Sequence, residues 1–195
     1  MDENGKPHRH EHGGRSTRGL IDPGKLLRKI GLKEGETFLD LGCGDGYVAI
    51  EAASKFIGPA GKVIAIDVDP GAIEKVKVRV KELGAINIEA SIADATKHLP
   101  LPDASVTTCL VANVLHGFVV NKEADQVLKE LFRVLKNGGK IVIVEFKKKR
   151  YLPGPPFEDR LAPTDVDKLL AAKGCNMSFA FNAGLLHYAR VFLVP

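Results

Sequence analysis

Short apolar runs alternate with amphipathic segments along most of the chain, and this alternation predicts five strands separated mainly by helices. The five runs are residues 37–41, 62–67, 87–93, 105–112 and 140–146. Strand–helix alternation of this kind indicates a parallel sheet covered by helices on both faces. Two further apolar runs, 175–181 and 188–194, are joined by a short turn, and such a pair can only be antiparallel.

Helix-capping residues in the sequence predict where several helices begin and end. Asp22-Pro23 and Asp69-Pro70 each combine an N-cap with a proline in the first turn, and Thr164 is expected to cap the last helix. A helix over 121–136 is expected to end at Asn137-Gly138-Gly139. The helix after Pro70 is expected to bury its apolar side, which consists of Ile73, Val76, Val80 and Leu83.

The composition indicates one ordinary globular domain. The 195 residues are 45% hydrophobic and 27% charged, and the net charge of +4 allows an acidic partner without requiring one. We expect a cytoplasmic protein without a membrane span, because no apolar run is long enough and the polar N-terminus lacks a secretory signal. Cys43, Cys109 and Cys175 are too widely spaced for a CxxC metal site, and no metal site is expected.

Residues 1–19 are rich in glycine, histidine and charge, and we expect a mobile tail or lid ahead of a single domain at 20–195. His8, His10 and His12 would share one side of an extended chain, which is compatible with metal binding. A solvated tail is the favoured interpretation, because no further ligand cluster accompanies these histidines.

Residues 38–47 carry the main ligand-binding signal of the sequence. An apolar strand there is followed by a loop that contains three glycines. Gly42, Gly44 and Gly46 remove side chains at alternate positions, so a ligand can approach the backbone at the start of the next helix. Their spacing is G-x-G-x-G rather than the G-x-G-x-x-G of dinucleotide sites. Asp40, two residues before Gly42, would repel a pyrophosphate but could pair with an ammonium group.

This loop resembles motif I of the class I S-adenosylmethionine (SAM)-dependent methyltransferases. The segment 134–141 is similar to the corresponding segment of their small-molecule members, and the resemblance covers about residues 22–194. It implies an α/β, Rossmann-like doubly wound fold with a seven-stranded sheet, mostly parallel with an antiparallel last strand. Leu115-His116, Gly138-Gly139 and Glu145-Phe146 resemble the ubiquinone/menaquinone-biosynthesis-like group in particular.

The resemblance implies a cofactor site at the carboxyl ends of the strands. Asp67 lies 21 positions after Gly46, where an acid is expected to bind both ribose hydroxyls. Asp94 is expected to bind the adenine amino group, with capping of the turn at Thr96 as the alternative. The residues expected to contact SAM are Asp40, Gly42, Cys43, Gly44, Gly46, Asp67, Val68, Asp94, Ala95 and Asn113.

The implied reaction is in-line transfer of a methyl group from SAM to a small organic acceptor, with S-adenosylhomocysteine as product. Alignment of the acceptor and exclusion of water are the main requirements, and a base is needed only if the acceptor keeps its proton. His116 is the catalytic base candidate because imidazole titrates near neutrality. A structural role for His116 is the competing interpretation, and Glu145 is a weaker base candidate.

The absence of certain motifs narrows the range of acceptor classes that we expect. Asn113 is followed by Val114-Leu115 rather than by the Pro-Pro-aromatic sequence of enzymes that methylate nucleobase or glutamine amines. Nucleic acid is not the expected partner, because aromatic residues make up only 6% of the chain. Methylation of RNA or protein near the basic run 147–150 and a non-catalytic SAM-binding subunit remain alternatives, and a homo-oligomer remains open.

Overall fold

The computed structural model describes residues 16–195, so the three histidines at positions 8, 10 and 12 lie outside the described residues. Seven strands form one sheet: β1 (Thr37–Leu41), β2 (Lys62–Asp67), β3 (Ile88–Ile92), β4 (Val106–Ala112), β5 (Leu135–Phe146), β6 (Asn176–Asn182) and β7 (His187–Leu193). Their order across the sheet is β3-β2-β1-β4-β5-β7-β6. The first five strands are parallel, and β7 is antiparallel to both β5 and β6. The expected mostly parallel sheet with an antiparallel last strand is therefore confirmed.

Helices cover both faces of this sheet. The described helices are α1 (Pro23–Lys29), α2 (Tyr47–Lys55), α3 (Pro70–Leu83), α4 (Leu115–Val120), α5 (Ala124–Val134) and α6 (Pro163–Ala171). One hydrophobic cluster joins the sheet to α1, α2 and α3, and a second joins the opposite face to α4, α5 and α6. Within residues 16–195, no helix has the length and apolar character that a membrane crossing requires.

Local capping signals are confirmed at two helices. The Asp22 side chain accepts a hydrogen bond from the Lys25 amide at the start of α1. Asp69 caps α3 in the same way, and Gly84 ends that helix in the left-handed conformation. These caps satisfy amide groups that a helix end otherwise leaves unpaired.

Several predicted boundaries are wrong. The expected helix over 121–136 is shorter, because the chain turns at Asn121, Lys122 adopts a positive φ of 60°, and α5 spans only Ala124–Val134. The sequence did not predict the short helix α4 that precedes this turn. β5 begins at Leu135 rather than at residue 140, since Leu135 pairs with Val106 of β4 across an irregularity in the ladder. Ala162, not Thr164, is the N-cap residue of α6. Leu83, expected on the buried side of α3, is exposed because it lies in the last turn.

Candidate functional site

The carboxyl ends of the parallel strands bring the candidate residues to one edge of the sheet. Asp40 lies near the end of β1, Asp67 ends β2, Asn113 follows β4, and Glu145 lies near the end of β5. The strand order reverses between β1 and β4, and ligands of doubly wound sheets bind beside such a reversal.

The glycine loop between β1 and α2 is hydrogen-bonded to the end of β2. The amides of Gly42 and Cys43 both donate to the Ile66 carbonyl, at 2.8 and 3.0 Å. Gly42 has a φ of +71°, and a β-carbon there would lie 2.6 Å from Cγ1 of Val114. A β-carbon at Gly46 would lie 2.8 Å from a methyl group of Val76. The sequence therefore needs glycine at both positions for packing as well as for conformation.

Asp67 holds this loop in place. One carboxylate oxygen accepts a hydrogen bond from the Gly44 amide at 2.8 Å, and the other accepts one from the Asp69 amide at 2.9 Å. A carboxylate offers about four lone-pair positions, so both oxygens can accept further hydrogen bonds. The neighbouring Val68, which is also predicted to contact the cofactor, is an apolar residue that is 44% exposed.

Asp40 is a buried carboxyl group without a full set of partners. Its side chain is 2% exposed, and Oδ2 has no hydrogen-bond partner. The pKa of Asp40 is raised to about 7, chiefly by burial and in smaller part by the charges of Asp67 and Asp45, against a backbone hydrogen bond from Ala49 that partly offsets these effects. An unpaired acid of this kind is costly in the free protein and suits a cationic ligand group.

Asn113 provides a second unpaired oxygen at the reversal point. Its backbone has a positive φ of 60°, a conformation that non-glycine residues seldom adopt. Its buried Oδ1 has no hydrogen-bond partner. Strain and unpaired polar atoms together are typical of ligand-binding positions.

Asp94 caps a turn in the way that the alternative interpretation predicted. Its Oδ1 accepts hydrogen bonds from the amide and hydroxyl of Thr96, and Lys97 lies 3.5 Å from Oδ2. Burial raises the pKa of Asp94, but the Thr96 hydrogen bonds and the Lys97 charge outweigh this and lower it. The carboxylate is therefore charged at neutral pH and retains lone pairs for a further donor. Ala95 beside it is buried.

Cys43 is directed into the core rather than into open space. It is buried in the hydrophobic cluster on the α1–α3 face. Burial, followed by the nearby charges of Asp40 and Asp67, raises the pKa of its thiol. A ligand beside the glycine loop would therefore meet the backbone of Cys43 rather than its thiol.

His116 of α4 and Glu145 of β5 form a buried pair. The Nδ1 atom of His116 lies 2.9 Å from both carboxylate oxygens of Glu145. The His116 amide also donates to Oε1 at 3.0 Å, and the Phe146 amide donates to Oε2 at 3.3 Å. Glu145 therefore fixes the position and the tautomer of the imidazole, a role that the sequence did not reveal because 29 positions separate the two residues.

Sequence reasoning missed His187. This residue begins β7 and pairs with Phe146 in the adjacent strand, with ring centroids 4.2 Å apart. It is fully buried, and neither ring nitrogen has a hydrogen-bond partner. Burial lowers its pKa to about 4, so the ring is neutral at physiological pH. The alternation of side chains places Phe146 and His187 on the same sheet face as Asp40.

A short segment before α1 reaches over this edge. The Arg18 guanidinium lies 4.4 Å from the centroid of the Tyr47 ring and 3.6 Å from the Asp45 carboxylate. At the other end of the segment, a β-carbon on Gly184 would meet the Leu20 carbonyl. Residues 18–20 therefore contact both the glycine loop and the turn between β6 and β7. The lid assigned to residues 1–19 stays a prediction.

The polar groups at this edge of the sheet have the chemistry that SAM binding requires. The buried oxygens of Asp40 and Asn113 that have no hydrogen-bond partner would accept from a ligand ammonium group. Among residues 16–195, no cluster of three or more histidine, cysteine or acidic side chains could hold a metal ion.

A family model described as a methyltransferase domain matches residues 38–139. The demethylmenaquinone methyltransferase of Lactobacillus johnsonii is 37% identical over 123 residues, which is 62% of this chain and 48% of the relative. The ubiquinone/menaquinone biosynthesis C-methyltransferase UbiE of Salmonella arizonae is 32% identical over 119 residues, which is 60% of this chain and 45% of the relative. The chain thus spans about half the length of these curated relatives.

A SAM-dependent methyltransferase from Aquifex aeolicus has a similar crystal structure. Its TM-score is 0.84 at 31% sequence identity, and the match covers 93% of this chain and 95% of that one. The chain therefore belongs to the class I SAM-dependent methyltransferases.

Proposed function

We propose that this protein transfers the methyl group of SAM to a small aromatic acceptor that carries a hydroxyl group, such as a quinol. The observation that carries this proposal is the buried His116–Glu145 pair, which lies at the same strand edge as the unpaired oxygens of Asp40 and Asn113. Two curated relatives, a demethylmenaquinone methyltransferase and a ubiquinone/menaquinone biosynthesis C-methyltransferase, favour the same acceptor class.

The cofactor would be held by the groups at the ends of β1, β2, β3 and β4. Asp40 is positioned to bind an ammonium group, and Asp67 to accept from hydroxyl groups while it keeps the glycine loop in place. Asp94 and the backbone of the glycine loop are the remaining groups that we propose to bind SAM. SAM supplies an electrophilic methyl group on a sulfonium, and S-adenosylhomocysteine is the product.

His116 would take the proton of the acceptor. A phenolic hydroxyl keeps its proton at neutral pH, and loss of that proton raises the electron density of the ring carbon that would attack the methyl group of SAM. The bond from the methyl group to sulfur would break as the new carbon–carbon bond forms, and the ring carbon would then lose its own proton to restore the aromatic ring. Because Nδ1 of His116 donates to Glu145, Nε2 is the basic nitrogen of the ring. The carboxylate of Glu145 then stabilises the imidazolium that forms, as in other acid–histidine pairs.

Phe146 and His187 would orient the acceptor. An aromatic ring and a neutral imidazole are suited to a flat, uncharged molecule that carries an oxygen, and both nitrogens of His187 are without a partner. A thiolate-bound substrate such as arsenite fits less well. Cys43 and Cys109 lie in different hydrophobic clusters on opposite faces of the sheet, and burial raises the pKa of both thiols.

Methyl transfer from radiolabelled SAM to a panel of quinols, other phenols, RNA and protein tests this proposal. The quinols should be methylated, and His116→Gln should lower kcat by about 10²–10⁴-fold with unchanged affinity for S-adenosylhomocysteine. Glu145→Gln should lower kcat by about 10–100-fold, since it weakens the hydrogen bond that positions the His116 imidazole. His98→Gln, at an exposed histidine, is the matched control and should retain full activity.

Three outcomes would contradict the proposal. Unchanged kcat in His116→Gln would assign this histidine a structural role. Binding of S-adenosylhomocysteine without transfer to any member of the panel would favour a non-catalytic subunit, whereas transfer to RNA or protein alone would identify a macromolecular acceptor. We place the reaction in the cytoplasm, in keeping with the sequence features noted above.

A further inference from the structure

Two loops beside Phe146 and His187, the residues proposed above to orient the acceptor, carry large apolar side chains that face solvent. Tyr151, after β5, is 97% exposed, and Leu185, between β6 and β7, is 85% exposed. These are among the most exposed large apolar residues in the described part of the chain. Exposed apolar residues that project from loops are typical of surfaces that meet another phase or partner.

The same two loops are joined into one surface. The Lys147 amide donates to the Leu186 carbonyl at 2.8 Å, and the Lys147 ammonium group donates to the Leu185 carbonyl at 3.0 Å. We call this surface, residues 147–152 together with 183–186, the basic rim.

The basic rim is held in shape by a buried arginine. Arg160 is 3% exposed, and its guanidinium donates to four backbone carbonyls in the loop after β5. These belong to Lys147, Lys149, Leu152 and Pro155. Four charge-assisted hydrogen bonds to one planar group fix the path of the loop, so its outward side chains form a defined surface.

Positive charge surrounds the two apolar tips. Residues 147–150 are four consecutive cations, and Lys149 and Arg150 are exposed. Lys148 and Arg150 both lie over the Phe157 ring, at 5.6 and 4.5 Å from its centroid. Glu158 is the exposed acid nearest to this run in the loop sequence. The basic rim therefore combines apolar tips with a net positive charge.

We propose that the basic rim docks the protein on an anionic lipid surface. Apolar side chains that enter the headgroup region and cations that meet anionic headgroups are the two components of interfacial binding. RNA would use the cations but has no favourable role for Leu185. The basic rim also adjoins Phe146 and His187, because β7 begins beside the end of β5. Docking would therefore bring the acceptor side of the site to the source of an apolar substrate.

Co-sedimentation with lipid vesicles tests this inference without any enzymatic readout. The protein should bind vesicles that contain phosphatidylglycerol or phosphatidylserine, bind much less to pure phosphatidylcholine, and dissociate as salt is raised. Changing Lys148, Lys149 and Arg150 together to Gln should weaken binding by about 100-fold. Leu185→Ser should weaken it by about tenfold at unchanged charge.

Two control variants match these changes on another part of the surface. Ile86→Ser changes an apolar residue that is 92% exposed near the opposite edge of the sheet. Changing Lys75, Lys77 and Lys81 to Gln removes three exposed cations from α3. Both controls should bind vesicles like the unmodified protein.

Three results would overturn the proposal. They are equal losses in the control variants, no preference for anionic lipid, and competition by RNA or inorganic phosphate that abolishes binding regardless of Leu185. Since the assay does not depend on methyl transfer, its failure and the failure of the proposed activity are distinguishable.

Discussion

At the scale of single residues, the raised pKa of Asp40 has a measurable consequence. If the carboxylate pairs with the ammonium group of the ligand, only the deprotonated form binds well. With a pKa of about 7, the affinity for S-adenosylhomocysteine should fall by about tenfold for each pH unit below 7 and level off above it. Calorimetric titration between pH 5.5 and 8.5 measures this dependence.

The same experiment contains its own control. Binding at pH 6.5 should release protons, which calorimetry detects as a heat that depends on the ionisation enthalpy of the buffer. Asp40→Asn should bind weakly at every pH and release none. An affinity that does not change between pH 5.5 and 8.5 in the unmodified protein would contradict this role for Asp40.

His187 should limit stability in acid. Its pKa in the folded protein, about 4, lies below its ordinary value of 6.5, so the unfolded chain binds more protons between these values. Stability should therefore fall as the pH drops from about 6.5 towards 4. His187→Phe, which keeps the ring contact with Phe146, should raise the free energy of unfolding at pH 5 by about 1–2 kcal/mol relative to its effect at pH 7.5.

Urea denaturation at the two pH values measures this difference. A pH-independent effect of His187→Phe would show that the imidazole is accessible to protons in the folded state. The variant should also lose affinity for a quinol acceptor if His187 orients that molecule, while binding of S-adenosylhomocysteine stays unchanged.

At the scale of elements, the glycine loop and the start of α4 are coupled by packing. Gly42→Ala should lower the free energy of unfolding by about 2–4 kcal/mol, because the new methyl group would overlap Val114 and alanine disfavours a positive φ. Adding Val114→Ala should remove the overlap but not the backbone strain. The double variant should therefore be more stable than the sum of the two single changes, by about 1 kcal/mol.

Chemical denaturation of the unmodified protein, the two single variants and the double variant measures the four free energies of unfolding in this double-mutant cycle. Strict additivity would mean that Val114 moves aside without cost. Because Val114 directly precedes α4, which carries His116, the coupling would also link the cofactor loop to the base candidate.

The sequence predicted elements best where the signal is local. Asp22 and Asp69 were identified as caps because the residue type, the following proline and the amide partner all lie within three positions. The short helix α4 and the start of α5 at Ala124 depend instead on the left-handed turn at Lys122, where the sequence has no glycine to indicate such a turn. The early start of β5 depends on pairing of Leu135 with a residue 29 positions away, and no local pattern encodes that contact.

At the scale of the whole molecule, topology was predictable and side-chain partnerships were not. Strand–helix alternation and the final hairpin determine a mostly parallel sheet, and the acids at three strand ends follow from that sheet. The sequence could not show that Asp67 also supports Gly44, that Glu145 serves His116, or that His187 is left unpaired. Each of these depends on residues that only the packed sheet brings together.

The most direct test of the whole account is calorimetric titration of the protein with S-adenosylhomocysteine, with NADH as the control ligand. We expect binding of S-adenosylhomocysteine in the micromolar range and no heat from NADH. Asp67→Ala should weaken that binding by about 1.5–3 kcal/mol, because it removes charge-assisted hydrogen bonds. Binding of NADH, or no binding of S-adenosylhomocysteine at all, would contradict the assignment of the glycine loop and the strand-end acids to SAM.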